Sequence, residues 1–328
     1  MHTRQERIIR MFRIEVQKRY MSLFALLFFA AALLVAAKKA DASGGIRIRE
    51  EEIQIPGLTR AYDFFLIADT HISLCDERDE SLMEKARARR LAFEQESKKT
   101  AVRTFQNLIT QANQRNADLA IFAGDITDSA MQASVAFVEK QVQRLRMPFL
   151  YVTGNHDFEY GNAYFSKQAY QEYYPRLRGL TGTREQYVVR EYEDLVVLGI
   201  NDKNNQFSKR AVEALLPYLK GKKPVIVILH VPLQPQYADS ALEQQANAVW
   251  GLSKQGRCRV LLGETACKPN GATKKLLDAI FAADSPVAAV FAGHIHFYNR
   301  GMLNDRTEQI VTGAGYYGDA VRIRVRPK

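Results

Sequence analysis

Phe149-Leu150-Tyr151-Val152-Thr153-Gly154-Asn155-His156-Asp157 is a short apolar run that stops at a glycine and delivers an amide, an imidazole and a carboxylate. Four other apolar runs finish in the same manner. Asp63 to Ile67 leads into Asp69 and His71, Leu119 to Ala123 into Gly124 and Asp125, Val225 to Leu229 into His230, and Ala288 to Ala292 into Gly293, His294 and His296. Five of the six histidines therefore stand at run ends, and the sixth, His2, is in the N-terminal tail. Apolar, β-branched-rich runs of about four to eight residues bounded by Gly or Asp read as buried strands of a largely parallel sheet. Ligand-binding residues collect beyond the carboxyl ends of such strands, so these side chains are expected to meet in one place.

Between the runs, Phe105, Leu108, Ile109 and Ala112 recur with helical spacing, as do Val135, Val138, Val142 and Leu145, and again Val212, Leu215, Leu216 and Leu219. Strand, helix and strand in succession imply right-handed crossovers and an α/β layered domain, expected over 59–328. Tyr187 to Arg190 and Leu195 to Ile200, around Glu193-Asp194, read as a hairpin. Ile53 to Pro56 begins a first edge strand, and Ala320 to Val325 alternates as a half-buried edge strand, so the sheets are expected to be mixed. The charged stretch from His71 to Lys99 reads as loop then helix. Its Arg87, Arg89 and Arg90 suit a solvated helix face, with contact to an anionic substrate as the other option.

The chain has 328 residues and a net charge of +10. Residues 1–20 carry six basic side chains against two acidic ones, and Lys38 and Lys39 follow, so most of the surplus lies before residue 40. What remains is too diffuse for a nucleic-acid footprint, and no nucleic-acid partner is expected. Met21 to Ala37 is apolar and free of charge, seventeen residues at the lower limit for a membrane-spanning helix. Basic residues ahead of it place a tail at 1–20 in the cytoplasm, a signal-anchor at 21–37, a tether at 38–58 containing Ser43-Gly44-Gly45, and the domain outside the cell membrane. The rival is a cleaved secretory signal, because Ala40-Asp41-Ala42 has a small-x-small form. The long basic region before the apolar run and the two lysines after it favour the anchor. Cys75, Cys258 and Cys267 are too few for a disulfide framework. Outside the cell Cys258 and Cys267 could pair, free buried thiols being the alternative.

Asp69, His71, Asp125, Asn155, His230, His294 and His296, with His156 beside them, offer more imidazoles than one zinc ion uses. A Ser-His-Asp triad needs only one imidazole, and no Gly-x-Ser-x-Gly elbow is present. Imidazole nitrogens with carboxylate and amide oxygens suit a pair of divalent ions about 3.5–4 Å apart, joined by a shared oxygen ligand.

Asp69-x-His71, Gly124-Asp125, Gly154-Asn155-His156-Asp157, His230 and Gly293-His294-x-His296, in that order, resemble the signature of calcineurin-like metallophosphoesterases across about Asp63 to Tyr317. The resemblance implies an αββα sandwich, two mixed sheets flanked by helices, with a bimetal centre at the strand ends. Position by position, it implies that Asp69, His71 and His296 hold one metal, that Asn155, His230 and His294 hold the other, and that Asp125 bridges them. The metals would be Mn, Fe or Zn, and an activated hydroxide would attack phosphorus in line. The resemblance makes His156 the group that protonates the leaving oxygen and Asp128 the group that orients His156. A helix N-cap is the plainer role for Asp128.

Departures from the pattern narrow the substrate. Protein Ser/Thr phosphatases of this superfamily carry Asp-Arg-Gly where this chain has Asp128-Ser129-Ala130, and Gly-Asn-His-Glu where it has Asp157. The chain looks more like the bacterial phosphodiesterase branch, acting on phosphodiesters or phosphomonoesters of small molecules such as a nucleotide, a cyclic nucleotide or a lipid head group. Asp157 is expected to be structural. Phe158, Tyr160, Tyr164 and Phe165 suit core packing, or stacking on a substrate, and Tyr316 and Tyr317 are placed at the site mouth. Two other readings stand beside this one: a nuclease of the double-strand-break repair type, and a non-catalytic membrane-tethered metal-binding module. The apolar anchor opposes the first, and His156, for which a binding module has no use, opposes the second. No protein partner is expected.

Overall fold

The computed structural model describes residues 45–158, 167–182, 186–202, 206–237, 240–251, 260–263 and 269–328. Its folded unit runs from Ile46 to Lys328. One sheet holds five strands in the order β1 (Arg47–Ile55), β11 (Asp319–Pro327), β2 (Tyr62–Ile67), β3 (Leu119–Ala123) and β4 (Phe149–Val152). The other holds six, in the order β5 (Tyr187–Glu191), β6 (Val196–Ile200), β7 (Val225–Ile228), β8 (Val287–Ala292), β10 (Glu308–Val311) and β9 (Asn299–Met302). Both sheets are mixed. β2, β3 and β4 are parallel while β11 runs antiparallel to β2, and β6, β7, β8 and β10 are parallel with antiparallel strands at both edges.

Three apolar layers make this a four-layer sandwich. Phe64, Leu66, Ile121 and Val152 of the first sheet meet Val197, Ile226, Ile228 and Phe291 of the second in a buried layer between them. The outer face of the first sheet is covered by helices α2 (Ala101–Gln114) and α3 (Gln132–Val142), through Phe105, Leu108, Ile109, Val135 and Val138. Helix α1 (Met83–Ser97) precedes them. The outer face of the second sheet is covered by α4 (Lys209–Leu219) and α6 (Gly271–Phe281), with α5 (Ala241–Trp250) between them in sequence. Ser208 and Asn270 begin α4 and α6 by accepting hydrogen bonds from the amides of Ala211 and Thr273. The helical spacings at Phe105, Val135 and Val212 and the hairpin at Tyr187 all correspond to elements of the fold.

Two expectations are corrected at the first sheet. The stretch 38–58 is not a tether throughout, because Arg47–Ile55 is an edge strand paired in parallel with β11. Ala320 to Val325 does alternate, but β11 lies inside the sheet, between β1 and β2. Charge hid both. Glu50 and Glu52 on β1 pair with Arg324 and Arg326 on β11 at 3.1 and 2.6 Å, and Arg322 pairs with Asp63 of β2 at 2.5 Å. The exposed Glu50–Arg324 and Glu52–Arg326 pairs each stabilise by at most about 1 kcal/mol. The strand is held chiefly by its ladder and by Ile53 and Ile55, which enter the intersheet core.

Among the described residues no helix is long and apolar enough to cross a membrane. The apolar run 21–37, Tyr160, Tyr164, Phe165, Cys258 and Cys267 lie outside the described residues. Phe158 is buried against Tyr170 and Tyr174, in the core, and Cys75 is a free thiol.

If β1 is part of the sheet, amides along Arg47–Ile55 that donate to β11 will exchange hydrogen slowly, alternating with fast ones. Uniform exchange at unstructured rates across this stretch, read by hydrogen–deuterium exchange, would restore the tether.

Candidate metal centre

The candidate ligands sit where β2, β3, β4, β7 and β8 run out at one end of the sandwich. Asp69, His71, Asp125, His294 and His296 all have positive φ, between 46° and 74°, and only Lys98 and Asn116 share that feature among the other described non-glycine residues. Each such backbone costs roughly 1–3 kcal/mol and persists only where surrounding contacts fix it. Here they do: the amides of Asp69 and His71 donate to the carbonyls of Gly124 and Asp125, and the His294 amide donates to Asp69 Oδ2 at 2.8 Å. Gly124 has φ 82° as well, and a side chain there would meet His230 Nδ1 at 2.5 Å.

Seven predicted ligands come together as two groups. In the first, His71 Nε2 and His296 Nε2 are 3.2 Å apart, and Asp69 Oδ1 is 3.6 Å from His296 Nε2. In the second, His230 Nε2 lies 3.1 Å from Asp125 Oδ2, 3.1 Å from His294 Nδ1 and 3.2 Å from Asn155 Oδ1. Ligand atoms about 2.0–2.1 Å from one ion are separated by about 2.8–3.0 Å in octahedral and about 3.3–3.4 Å in tetrahedral geometry, so all but the slightly longer Asp69–His296 spacing suit coordination shells. The rings are oriented for it. His230 Nδ1 donates to the Ala123 carbonyl at 2.8 Å and His71 Nδ1 to Asp128 Oδ1 at 3.1 Å, leaving each Nε2 lone pair for a cation. Asp69 Oδ1 is buried and accepts no hydrogen bond, an expensive state that a cation would relieve. The residues present therefore fit a pair of divalent ions.

The charges point the same way. Burial pushes the Asp69 carboxyl up to about 8, opposed by His230 and reinforced by Asp125. Burial would lower His230, yet the charges of Asp125, Asp69 and Asp202 outweigh it and lift the imidazole to about 10. Carboxylates gathered in a closed space call for positive charge.

A third group is bound by hydrogen bonds. Asp128 Oδ1 lies 3.0 Å from His156 Nδ1 and 3.1 Å from His71 Nδ1, and Arg89 of α1 donates to both Asp128 oxygens at 2.7 Å. Its Nη2 also lies 3.3 Å from His156 Nδ1. The guanidinium supplies the positive charge at this group. Burial would raise Asp128, but Arg89, His156 and His71 hold it well below the usual carboxylate range. Asp128 is not a helix N-cap, since α3 begins at Gln132 after Met131. Sequence reasoning placed Arg89 on a solvated face. Its nearness to Asp128 spans helix α2, strand β3 and the loops around them, and leaves no local pattern.

Asp157 is structural. Its buried carboxylate accepts from the amides of Asp125, Thr127 and Gly154 and from the hydroxyls of Thr127 and Tyr151, all at 2.8–2.9 Å, locking the β3 loop to the β4 loop. Asp202, missed by sequence reasoning, accepts from the Val231 amide and fixes the His230 loop. Tyr316 is buried beside His71 and His296, and Tyr317 borders a groove next to His296.

The family model described as calcineurin-like phosphoesterase matches residues 62–298. No curated protein matches the chain. Among solved structures, a dimetal phosphatase from Danio rerio is 12% identical, with 78% of this chain and 88% of that one covered and a TM-score of 0.48. A purple acid phosphatase from yellow lupin (Lupinus luteus) is 13% identical, covering 81% and 45%, with a TM-score of 0.47. A putative 5'-nucleotidase from Staphylococcus aureus is 14% identical, covering 78% and 49%, with a TM-score of 0.42.

Purified chain saturated with Mn²⁺ or Zn²⁺ is expected to hold two ions by elemental analysis. Asp125→Asn should hold fewer, because an amide offers one good ligand oxygen and no charge. Two ions retained in that variant would mean that Asp125 is not shared.

Proposed function

The chain belongs to the calcineurin-like phosphoesterase family, and from that premise we propose that it hydrolyses phosphodiester or phosphomonoester bonds of small molecules at a two-cation centre. It is a phosphoric ester hydrolase; a nucleotide, a cyclic nucleotide or a lipid head group is the proposed substrate class. The observation that carries the reading is the presence of two ligand groups, Asp69 with His71 and His296 and Asp125 with His230 and His294, with the His156 amide bonded to Asp125.

Asp69, His71 and His296 would hold one cation, Asn155, His230 and His294 the other, with Asp125 common to both. Once bound, the pair supplies Lewis acidity toward phosphoryl oxygens and lowers the pKa of a water. The chain does the rest. His156 is 28% exposed, so its ring can reach a substrate. Its amide donates to Asp125 Oδ1 at 2.6 Å and its Nδ1 bonds Asp128, an orientation in which Nε2 would give a proton to the departing oxygen. Burial opposes the charged imidazole, but Asp125 and Asp128 raise its pKa above the ordinary value. Arg89 is a positioning residue: its two bonds keep Asp128 ionised and aimed, and Asp128 in turn holds both His156 and the His71 ring.

His156→Ala is expected to keep both ions and lose on the order of 10² to 10⁴ in kcat, less for nitrophenyl than for alkyl leaving groups. Arg89→Ala should show the same leaving-group dependence in weaker form, with partial return in Arg89→Lys. Equal losses for both leaving groups in His156→Ala would remove the proton-donor role.

The proposed place of action is the outer face of the cell membrane, with the N-terminus inside. It is supported by six basic residues before the apolar run 21–37. Protease added to intact cells should digest the domain and spare a tag placed before Met1. A protected domain would reverse the topology, and a soluble chain beginning at Ser43 would make the segment a cleaved signal.

A further inference from the structure

On β1 the odd-numbered residues face the second sheet. Ile53 and Ile55 enter the intersheet core, and alternation puts Arg47 and Arg49 on the same side, nearer the site. The direction follows from topology: β1 runs with β11 and against β2, so its start lies beside the end of β2 that leads to Asp69. There the sheets part, and a groove of about 620 Å³ opens, lined by Arg47, Arg49, His296, Tyr298, Tyr317 and Asp319 among others. That volume lies within the usual range for small-molecule sites, roughly 300–1,000 Å³.

The charges lining and flanking it are unequally committed. Asp319 is gripped by Arg47 at 2.6 and 2.9 Å. Glu51 accepts from the Tyr298 hydroxyl and from Arg300, both at 2.6 Å. Arg49 stacks its guanidinium 4.1 Å over the Tyr298 ring, and among the described residues it meets no carboxylate. Stacking fixes a planar guanidinium and leaves its N–H edge for an anion. Tyr298 is two residues from His296, so their Cα atoms are at most about 7 Å apart.

We infer that this groove is a second anion subsite, in which Arg49 receives a phosphate, sulfonate or carboxylate carried by the substrate beyond its scissile phosphate. The inference rests on the proposed function, because it takes the reacting phosphate to lie at the ligand groups that include His296. It narrows the substrate class to small phosphoesters with a second negative group roughly 7 Å from the first. Nucleotides and lipid head groups qualify only when they carry such a group.

The test uses Trp250, the chain's single tryptophan, whose ring lies 5.3 Å from that of His296. Its fluorescence is titrated in the Zn²⁺-loaded full chain with butylphosphonate and with 4-sulfobutylphosphonate, neither of which can be hydrolysed. The sulfonated probe should bind about tenfold more tightly, the scale of one charge-assisted hydrogen bond. Arg49→Ala should erase the difference and leave butylphosphonate affinity unchanged, while Arg49→Lys should keep part of it. Equal affinities in the wild type, or a preference that survives Arg49→Ala, overturn the subsite and leave the two-cation reading intact. Absence of binding by both probes overturns both.

Discussion

Asp125 is a carboxylate buried where two histidine groups meet, and the loops around it are arranged to keep it there. Its Oδ1 accepts from the His156 amide and its Oδ2 lies 3.1 Å from His230 Nε2, so both oxygens are committed in fixed directions. Its own amide donates to Asp157 and its carbonyl accepts from the His71 amide. A buried ion tolerates such a place only when its lone pairs are satisfied and opposite charge is near. The histidines answer part of that need, and a pair of cations held by the candidate ligands would answer the remainder. Asp157 then follows as a necessity: without it, the amides of Asp125, Thr127 and Gly154 would be buried without an acceptor.

The sandwich serves this arrangement by supplying rigidity. Left-handed backbone at five candidate ligands is costly, and it is held by strands buried on both faces. The cost is local, while the layers that offset it extend through the whole domain. Loops set between two packed sheets can hold ligands at spacings that an isolated loop, free to relax, would lose.

Much of this was legible because the centre is written at strand ends. A buried strand is an apolar run, and a glycine or carboxylate at its end marks where the chain turns, so each ligand stood next to a local signal. What was not legible lacked such a signal. β1 is charged because its outer face pairs with arginines of β11, a partner more than 250 residues away in sequence. Arg89 lies on a helix with a nearly uniform charged surface, and only the tertiary fold separates it from Arg87 and Arg90. Asp202 follows an apolar strand, as the ligands do, but no histidine stands near it in sequence.

Helix α1, the least distinctive element in the sequence, joins the two regions that surround the centre. Phe93 stacks on His71 with ring centroids 4.4 Å apart, and Arg89, one turn earlier, holds Asp128. Glu96 accepts from the hydroxyls of Tyr316 and Tyr317, and Lys99, just past the helix end, donates to the Tyr317 carbonyl. One face of α1 thus fixes the His156 side through Asp128, and its end fixes the turn that borders the groove beside His296. The ligand constellation sets the reaction and is common to a large family, whereas α1 and β1 lie outside the motif residues. On the proposed reading, α1 positions His156 through Asp128 and β1 lines the groove beside His296, both through charged sequences that look like ordinary surface.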